Sequence, residues 1–303
     1  MKRFALLLST LVAIAVPSAA RADNARFTFL KTIPVADLNR ILDSDRETFI
    51  HDEVPGAGPG YLKPPASKAT NAVDIYTVVY ETHIPERGNE TATVSGMLAL
   101  PHLAKRSTIP LMSYQRGTVY HKYAVPSYAF QAKSPWPYPH QQEAYETRYM
   151  TALFAGNGYG LVAADYVGFG RDAKSDEAYL IKGVTAQASV DLIDDATHFL
   201  ATKTIIPSSL FLSGWSQGGH NTGAVLQSLE RKGVKVKAAF TASNPNDPYA
   251  ALNAVFFHPQ PTDSPWFSAM VGQVAFSCEM FGGPSGLART TLNPDVFEDS
   301  KRI

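Results

Sequence analysis

Two hydrophobic periods take turns along this chain. Asp74–His83 and Thr91–Leu100 carry alternating or β-branched residues and read as strands, with Pro85–Asn89 joining them as a hairpin. Ile109–Tyr114, Gly160–Ala164, Leu210–Leu212 and Val234–Ala242 read as four further strands. Between them the period lengthens to that of a helix. Glu143–Ala155 forms one, stopped by Gly156-Asn157-Gly158. Thr185–Leu200 is the clearest, with Ala186, Val190, Ile193, Thr197 and Leu200 on one stripe and Asp191, Asp194, Asp195 and His198 on the other faces. Another follows Ser216, with Ala224, Val225, Leu226 and Leu229 before Lys232-Gly233. A hairpin followed by alternating strands and helices predicts an α/β architecture, a mostly parallel sheet with helices on both faces.

The pattern fails at both ends. Residues 23–73 read as an arm without a core of its own: Pro34–Leu42 has helical spacing, but Val54–Gly60 and Pro64-Pro65 forbid regular structure. From Asn244 onward strands cease, and Ala250–Phe257 and Phe267–Phe281 are apolar and helical, separated by Pro259, Pro261 and Pro265. The expected organisation is therefore a leader over 1–22, an arm over 23–73, a core over 74–245, a helical cap over 246–290 and a tail over 291–303.

Composition sharpens this outline. Lys2 and Arg3, the apolar run Phe4–Val16 and the small residues Ala20 and Ala22 make an export signal, too short to span a bilayer. The mature chain is then expected to be secreted or periplasmic, with no transmembrane segment. The 303 residues hold 27 Lys and Arg against 27 Asp and Glu; three of the basic groups and none of the acidic ones fall in the leader, leaving 24 against 27. Such a balance offers nothing to nucleic acid or an anionic membrane. Cys278 is the sole cysteine, so no internal disulfide can form. The histidines are scattered, no metal cluster is visible, and no cofactor motif occurs. Asn89-Glu90-Thr91 matches a glycosylation sequon and reads more simply as a surface turn.

The chemistry concentrates in Gly214-Trp215-Ser216-Gln217-Gly218-Gly219, between a short apolar strand and an amphipathic helix. This is the setting of a nucleophile elbow: a serine on a strained turn, flanked by glycines that avoid a steric clash, at the positive end of a helix. Reading Ser216 as a helix cap would leave the paired glycines Gly214 and Gly218 unexplained. Upstream, Gln115-Arg116-Gly117-Thr118 ends the third strand, and a long loop with Tyr120, Tyr123, Tyr128, Phe130, Trp136 and Tyr138 follows. Asp194 and Asp195 point in different directions from one helix and read as solvated surface. Asp247 before Pro248 reads as a helix cap, and His220 as a packing or capping residue.

With these residues assembled, the chain resembles the α/β-hydrolase fold, and within it the secreted lipases and esterases. Tyr114-Gln115-Arg116-Gly117-Thr118, Asp165-Tyr166-Val167-Gly168-Phe169-Gly170 and Gly214–Gly219 carry the likeness, over about residues 74–245. The resemblance implies that Ser216 attacks an ester carbonyl and that the backbone N–H groups of Gln217 and Thr118 hold the oxyanion. Arg116 stands where a histidine is common in that family, and the alternative account of Gly117-Thr118 is a plain turn. Asp165 is implied to be structural. The segment 246–290 resembles a lipase cap, with Phe256, Phe257, Trp266, Phe267, Met270 and Phe276 as candidates for an acyl pocket or for ordinary core. The substrate implied is a small-molecule ester or lipid.

In that fold the acid and the base follow the serine, each on a loop after a later strand. No such strand is visible after Ala242, and His258, Asp263, Asp295 and Asp299 lie in segments with no strand to position them. The acid and base are therefore expected beyond Ile303, and the chain as given is expected to be incomplete and to turn over little. The alternatives are an inactive, hydrolase-like binding protein and a prolyl-type serine peptidase, which shares the Gly-Trp-Ser-x-Gly-Gly pattern but is usually preceded by a repeat-built propeller not seen here.

Overall fold

In the computed structural model, residues 25–49, 67–102, 107–131, 144–245, 247, 253, 257–258 and 267–282 are described. Their strands are β1 (Arg26–Ile33), β2 (Val73–Ile84), β3 (Glu90–Pro101), β4 (Ser107–Gln115), β5 (Gly160–Ala164), β6 (Ile205–Trp215) and β7 (Val236–Ala242). The helices are α1 (Val35–Phe49), α2 (Tyr145–Phe154), α3 (Lys182–Thr202), α4 (Gln217–Arg231) and α5 (Phe267–Met280). The strands form one sheet in the order β1-β2-β3-β5-β4-β6-β7. It is mixed: β1, β2, β3 and β5 pair antiparallel, while β5, β4, β6 and β7 run parallel. Helices separate the parallel strands because a parallel return needs a crossover.

Period-2 alternation divides the core. On β2 and β3, Val78, Tyr80, Leu98 and Leu100 point to one face, where Val184, Val190 and Leu192 of α3 and Val225 of α4 pack. Their neighbours Val73, Ile75, Met97 and Ala99 point to the other, against Leu38 and Leu42 of α1 and Ala152 of α2. The sheet is thus buried on both faces, as the sequence predicts.

Two expectations need correction. Residues 26–33 are a strand hydrogen bonded to β2, and Ile33, Leu38, Leu42 and Ala69 lie in the core. The supposed arm is part of the sheet. Among the described side chains of α1 only Leu38 and Leu42 are buried, so too few apolar positions signalled a core. Asp191 is buried rather than on an outer face: its carboxylate accepts the Thr82 hydroxyl at 2.7 Å and the Gln187 amide at 2.8 Å. Asp194, by contrast, meets Lys232 at 3.5 Å on a partly exposed face. The leader, the tail and most of the predicted cap lie outside the described residues.

Candidate active site

β4 and β6 are parallel neighbours, with Tyr114 opposite Ser213 and Gln115 opposite Gly214. Because they end together, the loop from Arg116 to Thr118 and the turn at Ser216 leave the sheet side by side. β5 lies on the other flank of β4, with Val162 opposite Ser113, so the turn beginning at Asp165 emerges at the same end. Carboxyl ends of parallel strands are where such sheets bind ligands.

Ser216 sits at φ 53°, ψ −126°, a conformation that costs a residue with a Cβ about 1–3 kcal/mol. The turn is held on both sides of the serine. Its N–H donates to the Ala242 carbonyl at 2.9 Å, and its carbonyl accepts the Gly219 N–H at 2.9 Å. Glycine is required nearby: a Cβ on Gly218 would overlap the Gln115 carbonyl oxygen, and one on Gly214 the Gly218 carbonyl oxygen. Ser216 remains only half-buried and so can be reached from outside. Neither the Gln217 nor the Thr118 backbone N–H donates to another described residue. The Thr118 hydroxyl lies 2.9 Å from that of Tyr179.

Arg116 follows β4 directly and is fully buried. Its buried guanidinium donates to the Gly117 carbonyl at 3.0 Å and the Asp165 carbonyl at 2.9 Å. It lies over the Tyr166 and Phe169 rings, at 4.5 and 4.3 Å. Burial lowers its pKa, while Tyr166 and Asp165 raise it; an arginine starts so high that it stays charged. Arg116 therefore ties the loop after β4 to the turn after β5. Asp165 is fully buried and accepts the Ser95 and Ser127 hydroxyls, each at 2.5 Å, and the Ser127 N–H at 2.9 Å. Burial raises its pKa and these bonds oppose the rise. Its oxygens are directed to the two serines, and a Cβ on Gly170 would collide with Oδ2.

The remaining described candidates make no hydrogen bond to the Ser216 side chain. No described side chain is hydrogen bonded to its hydroxyl. His220 Nδ1 is 3.3 Å from Asn221 Oδ1, and burial holds its pKa below the ordinary histidine range. His258 and Phe257 are exposed. Met270 and Phe276 are half-buried on α5, while Phe256, Trp266, Asp263, Asp295 and Asp299 and the Phe267 side chain fall outside the described residues. Cys278 is half-buried, and burial raises its thiol. No group of metal-ligating side chains occurs among the described residues.

Helix α5 docks beside the site. The Ser277 hydroxyl donates to the Glu177 carbonyl at 2.6 Å and accepts the Tyr179 N–H at 2.9 Å, and Gln273 reaches Glu177 at 3.3 Å. One residue that the sequence reading missed stands at the centre. Glu146, in the first turn of α2, accepts the Gly117 N–H at 2.9 Å and the Tyr114 hydroxyl. Only its place in a helical first turn could have marked it, which many surface acids share.

The sequence matches no family model and no curated protein. Solved structures do match. The Legionella pneumophila hydrolase candidate lpg1103 aligns with TM-score 0.70 at 18% identity, covering 91% of this chain and 66% of that one. The rice cell wall degrading esterase LipA from Xanthomonas oryzae aligns with TM-score 0.52 at 20% identity, over 92% of this chain and 75% of that one. Candida antarctica lipase A aligns with TM-score 0.54 at 17% identity, over 76% and 50%. This chain has the α/β-hydrolase fold. It spans about two thirds of the length of the Legionella structure and half that of the Candida lipase.

Proposed function

We propose that this chain is a serine hydrolase of carboxylic esters, with Ser216 as nucleophile. The observation that carries the reading is the strained backbone of Ser216, held between Ala242 and the start of α4 and beside two backbone N–H groups without another described acceptor. In the reaction, Ser216 Oγ attacks the ester carbonyl as its proton passes to a general base. Thr118 and Gln217 N–H hold the oxyanion, the alcohol departs with a proton, and water then cleaves the acyl-serine, restoring the hydroxyl and releasing the acid. His220 does not suit the base's place, since it lies on α4 with its Nδ1 toward Asn221. An esterase and a lipase among the structural neighbours support esters over peptides. Export is proposed from the pattern of residues 1–22, and no described helix is long and apolar enough to cross a membrane.

A second reading, a chain that binds esters with little turnover, is favoured by one observation: the Ser216 hydroxyl is bonded to no described side chain. A fluorophosphonate probe and a chromogenic short-chain ester separate the two. The ester-hydrolase reading expects labelling and turnover that both disappear in Ser216→Ala. Labelling that survives Ser216→Ala sinks the nucleophile assignment, and labelling without turnover supports the second reading.

A further inference from the structure

Three hydrogen-bond donors of the site converge on one carboxylate, that of Glu146. Glu146 Oε1 accepts the Gly117 N–H at 2.9 Å and the Tyr114 hydroxyl, and the Trp215 indole N–H donates to the same group. Gly117 immediately precedes Thr118, and Trp215 immediately precedes Ser216. A single side chain is thus tied to the residue before an oxyanion donor and to the residue before the nucleophile. Glu146 is only partly buried as a residue, yet its carboxylate is enclosed by these three donors. A Cβ placed on Gly117 would lie 2.9 Å from Glu146 Oε2 and 3.3 Å from Trp215 Nε1, so the loop, the helix and the elbow are packed without slack.

We propose, on the reading that Ser216 is the nucleophile, that Glu146 is a positioning residue that sets the oxyanion loop and the elbow relative to each other. By taking up the Gly117 N–H it leaves the next amide, that of Thr118, as the loop's donor to the oxyanion. By taking up the Trp215 indole it fixes the residue from which Ser216 projects. A carboxylate suits this task because both of its oxygens accept; an amide, or the protonated acid, would turn a donor toward one of three donors. The first turn of α2 adds free N–H groups that favour the ionised form.

Among the described residues, the charged and titratable groups facing Glu146 are Arg116, Tyr114 and Tyr166. Burial raises the Glu146 pKa, and the hydrogen bonds from Tyr114, Gly117 and Trp215 and the charge of Arg116 oppose the rise without cancelling it. The bracket is therefore complete at neutral pH and loosens as pH falls, starting above the range where an ordinary glutamate takes up its proton.

The test uses the whole chain with its tryptophans labelled with nitrogen-15, the Trp215 indole signal being identified by its loss in Trp215→Phe. In the wild type this signal is expected to shift as pH is lowered, following Glu146, with the shift beginning above the range where an ordinary glutamate takes up its proton. In Glu146→Gln it should move and cease to titrate, and phosphonylation of Ser216 by a fluorophosphonate should slow about tenfold to a hundredfold. Glu146→Asp should recover part of that rate. An indole signal that ignores both pH and Glu146→Gln overturns the proposal, as does Glu146→Gln labelling at the wild-type rate. If the wild type is not labelled at Ser216, the nucleophile reading falls. The indole titration then decides alone, and its absence removes the positioning role.

Discussion

At the scale of single residues, the site is made from backbone strain and buried polar groups. Ser216 is kept at positive φ by hydrogen bonds to Ala242 and Gly219, and Gly214 and Gly218 make room for it. Arg116 orders the loop after β4 because its fork reaches two carbonyls while its face lies on two rings. Buried histidines add a pH dependence. Burial lowers the pKa of His121, and of His220, where Asn221 opposes and Lys182 reinforces the shift. An unfolded histidine titrates near pH 6.5, so the stability from keeping these rings neutral is complete above that value and is lost as pH falls toward the folded pKa values. The melting temperature should therefore drop as pH is lowered below about 6.5, and His121→Gln combined with His220→Gln should flatten that decline. An unchanged slope in the double variant would assign the acid sensitivity to other groups.

At the scale of elements, the parallel pairing of β4 with β6 and with β5 delivers the three loops to one end of the sheet. Helix α5 then fastens to those loops. Ser277 is fully buried and bridges the Glu177 carbonyl and the Tyr179 N–H, while the Tyr179 hydroxyl meets Thr118. Removing the Ser277 hydroxyl leaves a buried donor and a buried acceptor unpaired, at a cost of about 1–3 kcal/mol. We expect Ser277→Ala to speed hydrogen exchange at the Tyr179 amide and along α5, leaving β2 and β3 protected. Exchange that stays at the wild-type rate would show that α5 is held by other contacts.

At the scale of the whole molecule, the sheet has one core on each face, and the N-terminal segment closes one of them. Leu38 is fully buried in the cluster that holds Ile33, Val73, Met97 and Ala152. Leu38→Ala should cost about 2–5 kcal/mol in urea unfolding and keep a single transition, as expected where β1 and α1 belong to the same cooperative unit. A change below about 1 kcal/mol, or a separate early transition, would return residues 26–49 to the status of an arm. At the other end of the sheet, β7 is largely exposed, with Phe240 at 57%. No described strand pairs with the outer edge of β7.

The sequence alone determined what depends on local spacing. Alternation along β2 and β3, the helical stripe of α3 and the glycines around Ser216 are short-range patterns set by sterics and burial, and they sufficed for the α/β class and for the strand, tight turn and helix around Ser216. The tertiary structure decided what depends on distant residues meeting. Arg26–Ile33 is a strand because β2 offers it hydrogen bonds, although its own side chains are mostly exposed and carry little pattern. Arg116 becomes a brace only once β5 places Asp165 next to it. Glu146, thirty residues from Arg116 along the chain, comes to face Gly117 and Trp215 only once α2 has packed against α1 and β5. Its meaning lies in three hydrogen-bond donors, from β4, the loop after it and the end of β6, and no periodicity encodes that meeting.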